Sequence, residues 1–289
     1  MHKVGITLPN GVVPVEGGLV LEWARRAEEA SFSSLAMPDR LTYTNFEPLV
    51  TLAAATGATS RIRIVSQSVI APLRPAPLFA KQVATLAALA QGRLTLGVCV
   101  GGRQTDYEAV GVPWKERDNI LDAQLEFLKS LSEPADEQAL GPRLDPNLEI
   151  LIGGARTRGT ARLVKYGDGY ISGGTKPEIF RYEVMATKGA WEAAGKPGTP
   201  RIVAGTWFAS TDAVRKQADA NLERYFVQGA PPDPIRHWPM TGRTEVTEGL
   251  LEFFELGADE VILFPPVAEL SELEWLAELV AELPTPAPA

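Results

Sequence analysis

The sequence predicts an α/β protein folded as a single (β/α)8 barrel, and three observations point there. Strand-like and helix-like segments alternate along the whole chain. The 289 residues exceed the about 250 that one such barrel needs. The strand-like segments end in small or polar residues, the usual composition of a barrel's C-terminal mouth. An open, doubly wound sheet is the alternative arrangement of the same elements.

Val4–Leu8 reads as the first strand, followed by a helix over about Leu19–Ala30 with Leu19, Trp23, Ala27 and Ala30 on one face. Ser34–Met37 is the second strand, Phe46–Gly57 the next helix and Ile62–Ser66 the third strand. In the helix over Ala76–Ala90, Phe79, Val83, Leu86 and Leu89 recur at helical spacing. Leu94–Val100 is the fourth strand, and Leu121, Leu125 and Leu128 mark a helix near Arg117–Leu131. The polar stretch Glu133–Asn147 reads as a loop, followed by the strand Glu149–Ile152, the helix Thr157–Tyr166 and the strand Gly169–Ser172. Pro177–Ala194 is a long helix and Ile202–Phe208 the seventh strand. Ser210, Thr211 and Asp212 then cap a helix reaching about Val227. A second irregular loop, Gly229–Gly242, precedes the helix Thr244–Leu256, the eighth strand Glu260–Phe264 and a last helix over about Glu269–Leu283. The barrel therefore makes excursions after strands 4 and 7. Residues 1–283 are expected to form one domain, with Pro284–Ala289 (PTPAPA) a disordered proline-rich tail.

Composition narrows the function. A 45% hydrophobic content is ordinary for a globular enzyme, and a net charge of −8 argues against nucleic acid or an anionic membrane as the main partner. The single cysteine, Cys99, allows no internal disulfide and lies in an apolar run that suits a buried, inert thiol. With two histidines, His2 and His237, a histidine metal site or a Ser-His-Asp triad is poorly supplied, so no metal is expected. No targeting signal and no apolar run of about 18 residues is visible, which makes the cytoplasm the expected location.

Chemistry belongs at the strand ends: Leu8–Asn10, Pro38–Arg40, Gln67–Val69, Val100–Arg103, Gly153–Arg156, Gly173–Lys176, Phe208–Ser210 and Pro265–Pro266. The segment IGGART is the strongest of these. Gly153 and Gly154 allow close backbone approach, and the helix that follows offers free N–H groups to a phosphate. Arg156 and Arg158, with Arg162 and Lys165 further along, add positive charge. The competing reading is a glycine turn beside solvated basic residues. Gly101-Gly102 is either a tight turn or an opening for a flat ring. Asp39-Arg40 is either an ion pair or helix cap, or a functional pair over the mouth. Tyr43, Tyr107, Trp207 and Trp238 are candidates to line a pocket or simply to pack, and His237 reads as a surface-loop residue.

The segments SQSVIAPLRPAPLFAKQVATLAALAQGRLTLGVCVGG and LEILIGGARTRGTARLVKYGDGYISGG, in this order and spacing, resemble the bacterial-luciferase-like superfamily of flavin- and deazaflavin-dependent oxidoreductases. That resemblance implies a luciferase-like TIM barrel with FMN or the deazaflavin coenzyme F-420 at the C-terminal mouth. It implies a non-prolyl cis peptide at Ser68–Val69 beneath the ring, Val100 and Gly101 along it, and Asp39 near its edge. Gly153, Gly154, Ala155 and Arg156 would hold the phosphate, and Gly173, Gly174 and Thr175 would complete that pocket. Two departures matter. Deazaflavin-dependent dehydrogenases of this kind carry Asp-His where this chain has Asp39-Arg40, and a glutamate where it has Gly102. Arginine is no base at neutral pH, so reduction of an activated double bond is favoured over alcohol oxidation. Arg40 and Tyr43 are the candidates to orient and protonate a small organic substrate. The basic cluster Arg156, Arg158, Arg162 and Lys165 suits the polyanionic tail of F-420, which makes reduced F-420 the expected hydride donor. The alternative is a two-component FMN monooxygenase fed by a flavin reductase. A third reading is a non-catalytic cofactor-binding relative. The resemblance further suggests a homodimer through the helices Phe46–Gly57 and Ala76–Ala90.

Overall fold

In the computed structural model, eight parallel strands close into a barrel with helices between them. Residues 2–12, 14–30, 32–131, 140–227 and 239–284 are described. Most of the expected tail, parts of both irregular loops, and His237 and Trp238 lie outside them. The elements run β1 (Val4–Thr7), α1 (Gly17–Glu29), β2 (Ser34–Met37), α2 (Pro48–Ala58), β3 (Arg63–Ile70), α3 (Ala76–Ala90) and β4 (Leu94–Cys99). They continue with α4 (Gln104–Ala109), α5 (Arg117–Ser130), β5 (Glu149–Gly153), α6 (Thr157–Tyr166), β6 (Gly169–Ile171), α7 (Pro177–Ala193), β7 (Arg201–Ala209) and α8 (Asp212–Val227). The last are β8 (Met240–Thr241), α9 (Gly242–Glu255), β9 (Glu260–Phe264) and α10 (Leu270–Ala281).

The sheet order β6-β5-β4-β3-β2-β1-β9-β7, closed by β6 against β7, excludes the open doubly wound alternative. β8, absent from the sequence reading, is a two-residue extension beside the C-terminal end of β7, pairing Phe208 with Met240. The short helix α4 was also not anticipated. β3 runs four residues beyond the expected Ser66 because it resumes pairing with β4 at Val69 after a register shift. Each helix buries a stripe against the sheet. In α1 the stripe is Val20, Trp23, Ala24 and Ala27, at the i, i+3, i+4, i+7 spacing of an amphipathic helix.

Side-chain alternation decides what fills the barrel. Lowest, at the N-terminal ends, the inward residues are Ser34, Arg63, Thr95, Glu149, Arg201 and Glu260. Two residues on, Ala36, Val65, Leu151, Ile171, Val203 and Ile262 form a closed apolar plug. At the next inward positions Pro38, Gln67, Gly153, Gly173 and Phe264 line a cavity, joined by Thr7, Cys99 and Trp207. The plug separates a polar floor from the mouth, so the two ends cannot share ligands.

Candidate active site

The mouth cavity has a volume of about 420 Å³ and is walled by the ends of all eight barrel strands together with α8. Of the residues expected to bind a cofactor, Asp39, Ser68, Val100, Gly101, Gly153, Gly154 and Gly173 line it, as does Arg40. Val69 does not: its side chain is fully buried in the core between sheet and helices. Ala155, Arg156, Gly174 and Thr175 stand outside the lining. Thr175 is buried and its N–H donates to the Gly205 carbonyl, while Arg156 is exposed just beyond Gly154. The non-prolyl cis peptide lies at Gln67–Ser68, one residue before the expected Ser68–Val69. It falls within the β3–β4 register shift between Ser66 and Val69.

Asp39 is neither paired with Arg40 nor a helix cap. Its Oδ2 accepts from the Ile70 N–H and from Arg74 Nη1, each at 2.9 Å, and Arg74 Nη2 reaches Glu47 at 2.6 Å. Burial pushes the Asp39 carboxyl upward against the opposing pull of Arg74 and the Ile70 N–H. Arg40 instead turns to α8. Its Nη1 donates to the Tyr225 carbonyl at 2.8 Å and its guanidinium lies 4.0 Å above the Tyr225 ring. Arg103 Nη2 donates to the same carbonyl. Tyr43 meets the edge of Tyr225 at 5.2 Å and does not line the cavity. Tyr225 does, and burial raises its phenol pKa, so it stays protonated at neutral pH.

Of the aromatic candidates, Trp207 lines the cavity and packs on Phe264 at 4.7 Å. Tyr107 is a packing residue, buried edge-on to Trp114 at 5.0 Å. Cys99 lines the mouth, but burial pushes its thiol up to about 12, which agrees with an inert group.

The basic residues expected around α6 do not form one free cluster. Arg162 is not part of a free basic cluster: it is buried on α6, bound to Asp122 at 2.5 Å and Asp118 at 3.1 Å. Lys165 lies 4.7 Å from the Tyr166 ring. Arg156 and Arg158 remain exposed at the rim, Arg158 with only a 3.8 Å contact to Asp118. α6 begins without a side-chain cap, so its first N–H groups are open to an anion. Gly154 sits at φ +96°, a conformation that favours glycine. A Cβ on Gly159 would fall 1.8 Å from the Gly154 carbonyl oxygen, so that carbonyl turns tightly under the helix start only because residue 159 is glycine.

These residues fit a flat ring with a phosphate. Positions 102, 154 and 173 offer open space where a side chain would otherwise stand. Gln67, 2% exposed, has an Oε1 with no hydrogen-bond partner among the described residues, an acceptor suited to a ring N–H. No cluster of His, Cys, Asp and Glu suited to a metal occurs among the described residues. Nor, among them, is any helix long and apolar enough to cross a membrane.

Residues 8–259 match the model of the luciferase-like monooxygenases. The chain belongs to that family. Membership places it among flavin- and deazaflavin-dependent oxidoreductase enzymes acting on small molecules. An uncharacterized protein of Mycobacterium tuberculosis is 30% identical to it over 242 residues, covering 78% of this chain and 77% of its own. An FMNH(2)-dependent dimethylsulfone monooxygenase of Pseudomonas fluorescens is 26% identical over 145 residues, 45% of this chain and 40% of that one. An F-420-dependent secondary alcohol dehydrogenase, solved with an F-420-acetone adduct, superposes with a TM-score of 0.80 at 16% identity. It covers 99% of this chain and 100% of its own, and the likeness is one of fold.

Proposed function

We propose that the protein reduces an activated double bond in a small organic substrate with hydride from reduced F-420. One observation carries the choice of reaction. Among the described lining residues there is no histidine, and of the two lining carboxylates Asp39 is committed to Arg74 and Ile70 while Asp106 turns Oδ1 to Thr42, so the mouth lacks the histidine base of alcohol oxidation. It offers instead the guanidinium of Arg40 and the protonated phenol of Tyr225. Arg40 would orient or polarise the substrate. Tyr225 would supply the proton, in place of Tyr43, which stands behind it. Gly153, Gly154 and the start of α6 would hold the cofactor phosphate, with Arg156 and Arg158 facing the charge beyond it. Ser68, Val100, Gly101 and Gly173 would border the ring, and the trapped Gln67 would accept from it. The bound cofactor supplies the hydride; the residues position the acceptor and keep water away.

A second reading is an FMN-dependent monooxygenase served by a flavin reductase. It is favoured by the partial similarity to the dimethylsulfone monooxygenase and by the loss of Arg162 from the basic cluster. Fluorescence titration of the protein with F-420 and with FMN tests both. Tight F-420 binding, with oxidation of reduced F-420 by an enone or nitro compound, is the expected result. Tyr225→Phe, which keeps the backbone carbonyl and the ring under Arg40, should then lower kcat about 100-fold at unchanged cofactor affinity. Tight FMN binding alone, with oxygen uptake on reduced FMN, would select the second reading. Affinity for neither cofactor would overturn both.

A further inference from the structure

The wall of the mouth between β4 and α8 holds a charge that the cofactor reading does not use. Arg103, just after β4, is 4% exposed and lines the cavity. One arm of its guanidinium, Nη2, is spent on the Tyr225 carbonyl. The other, Nη1, is buried without a hydrogen-bond partner among the described residues. A guanidinium stays charged at any physiological pH. Burying its N–H groups with no acceptor is among the most unfavourable arrangements a folded protein can hold. Neither nearby carboxylate accepts from Nη1 of Arg103. Asp39 serves Arg74 and Ile70, and Asp106 turns Oδ1 to the Thr42 backbone N–H at 2.7 Å and the Thr42 hydroxyl at 2.5 Å. Arg40 brings a second guanidinium to the same wall, held by the same Tyr225 carbonyl. Phosphate recognition lies elsewhere on the rim, at Gly153, Gly154 and α6, so this charge is not needed for it.

We propose that the substrate is a small organic acid, a carboxylate or sulfonate, whose anionic group accepts from Nη1 of Arg103 with Arg40 alongside. This inference rests on the oxidoreductase reading of the mouth. It adds that the reducible bond lies within a few bonds of an anionic group. It also gives the Arg40 position a role that histidine would not fill at neutral pH: a permanent positive charge.

The test uses the full chain saturated with whichever cofactor the titration selects. Binding of hexanoate and hexanesulfonate is compared with binding of hexanamide, read by cofactor fluorescence. The anions should bind at least tenfold tighter than the amide. Arg103→Gln should erase that preference, and Arg103→Lys should restore part of it, both at unchanged cofactor affinity. Equal binding of anion and amide by the native protein would overturn the inference, as would a loss of cofactor rather than anion affinity in Arg103→Gln. Cofactor affinity is measured first and separately. If neither cofactor binds, the parent reading has failed, and the same anion titration, read by tryptophan fluorescence on the protein alone, still decides the role of Arg103.

Discussion

The two ends of this barrel are built from the same strands yet treat charge in opposite ways. At the floor the inward charges pair with one another. Arg201 binds Glu149 and, at 2.5 Å, Glu260; Glu260 also accepts from Ser33 at 2.5 Å and Ser34 at 2.6 Å; Thr95 donates to Glu149 at 2.7 Å. At the mouth Gln67 and Arg103 keep polar atoms with no partner among the described residues, and glycines stand where side chains would fill the space. A saturated network stabilises a fold but has nothing left to offer a ligand. An unsaturated one weakens the fold and is ready to bind. The apolar plug keeps the two apart.

The largest effect that would sharpen this contrast is at the floor. Glu260→Leu leaves Arg201 short of a partner and Ser34 without its acceptor in a buried site. It should cost about 3 kcal/mol in urea unfolding and leave cofactor affinity unchanged. A comparable loss of cofactor affinity would mean that the plug does not insulate the ends.

Next is Gly159→Ala at the mouth. Its Cβ would meet the Gly154 carbonyl oxygen at 1.8 Å, so helix or loop must move. About 2 kcal/mol of strain is expected. If the loop yields, cofactor affinity falls tenfold or more while the floor keeps its stability. An unchanged Kd for the cofactor would remove the Gly153-Gly154 turn from the phosphate site.

The floor and the mouth also differ in how well they can be read from sequence. The alternation of strands with helices and the glycine-rich strand ends are short-range signals, which favour the barrel over an open sheet, while closure itself is the long-range pairing of β6 with β7. The third wall of the site is long-range too. Tyr225 meets Arg40 across 185 residues, and no local pattern announces that contact. The cis peptide lies one residue before the Ser68–Val69 position that the family resemblance implies, inside the β3–β4 register shift. Arg162 is a different case, because the signal was present. Gly159, Arg162, Leu163 and Tyr166 share the buried stripe of α6, and Asp118 and Asp122 sit one turn apart on α5. That pattern marks an internal ion pair rather than a free cation. A paired substitution separates the two roles. Arg156→Gln should weaken cofactor binding about tenfold, roughly 1.4 kcal/mol, with little change in stability. Arg162→Leu should destabilise by about 1–2 kcal/mol without altering cofactor affinity. The reverse pattern would restore the four-residue cluster.

The smallest effect concerns pH, where the two ends should respond with opposite sign. Glu28, at the end of α1, receives the backbone N–H groups of Ser60, Arg61 and Ile62 where the chain enters β3 at the floor. Burial opposes its ionisation, but these donors and the Ser60 hydroxyl hold its pKa at about 2, below the ordinary 4.5. A depressed folded pKa means that the stabilisation is present above about pH 4.5 and fades as pH falls toward 2. Because Glu28 is partly exposed, solvent screening limits the effect to under about 1 kcal/mol. Glu28→Gln should therefore flatten the acid side of the stability profile and converge with the native protein near pH 2. Asp39 at the mouth is shifted upward by burial, so its protonated form favours folding at low pH and that contribution is lost as pH rises through the raised value. Asp39→Asn should remove a slope of the opposite sign, with stability read by denaturant titration at each pH. Slopes of the same sign would break the distinction between Glu28, held charged by its N–H donors at the floor, and Asp39, whose charging burial opposes at the mouth.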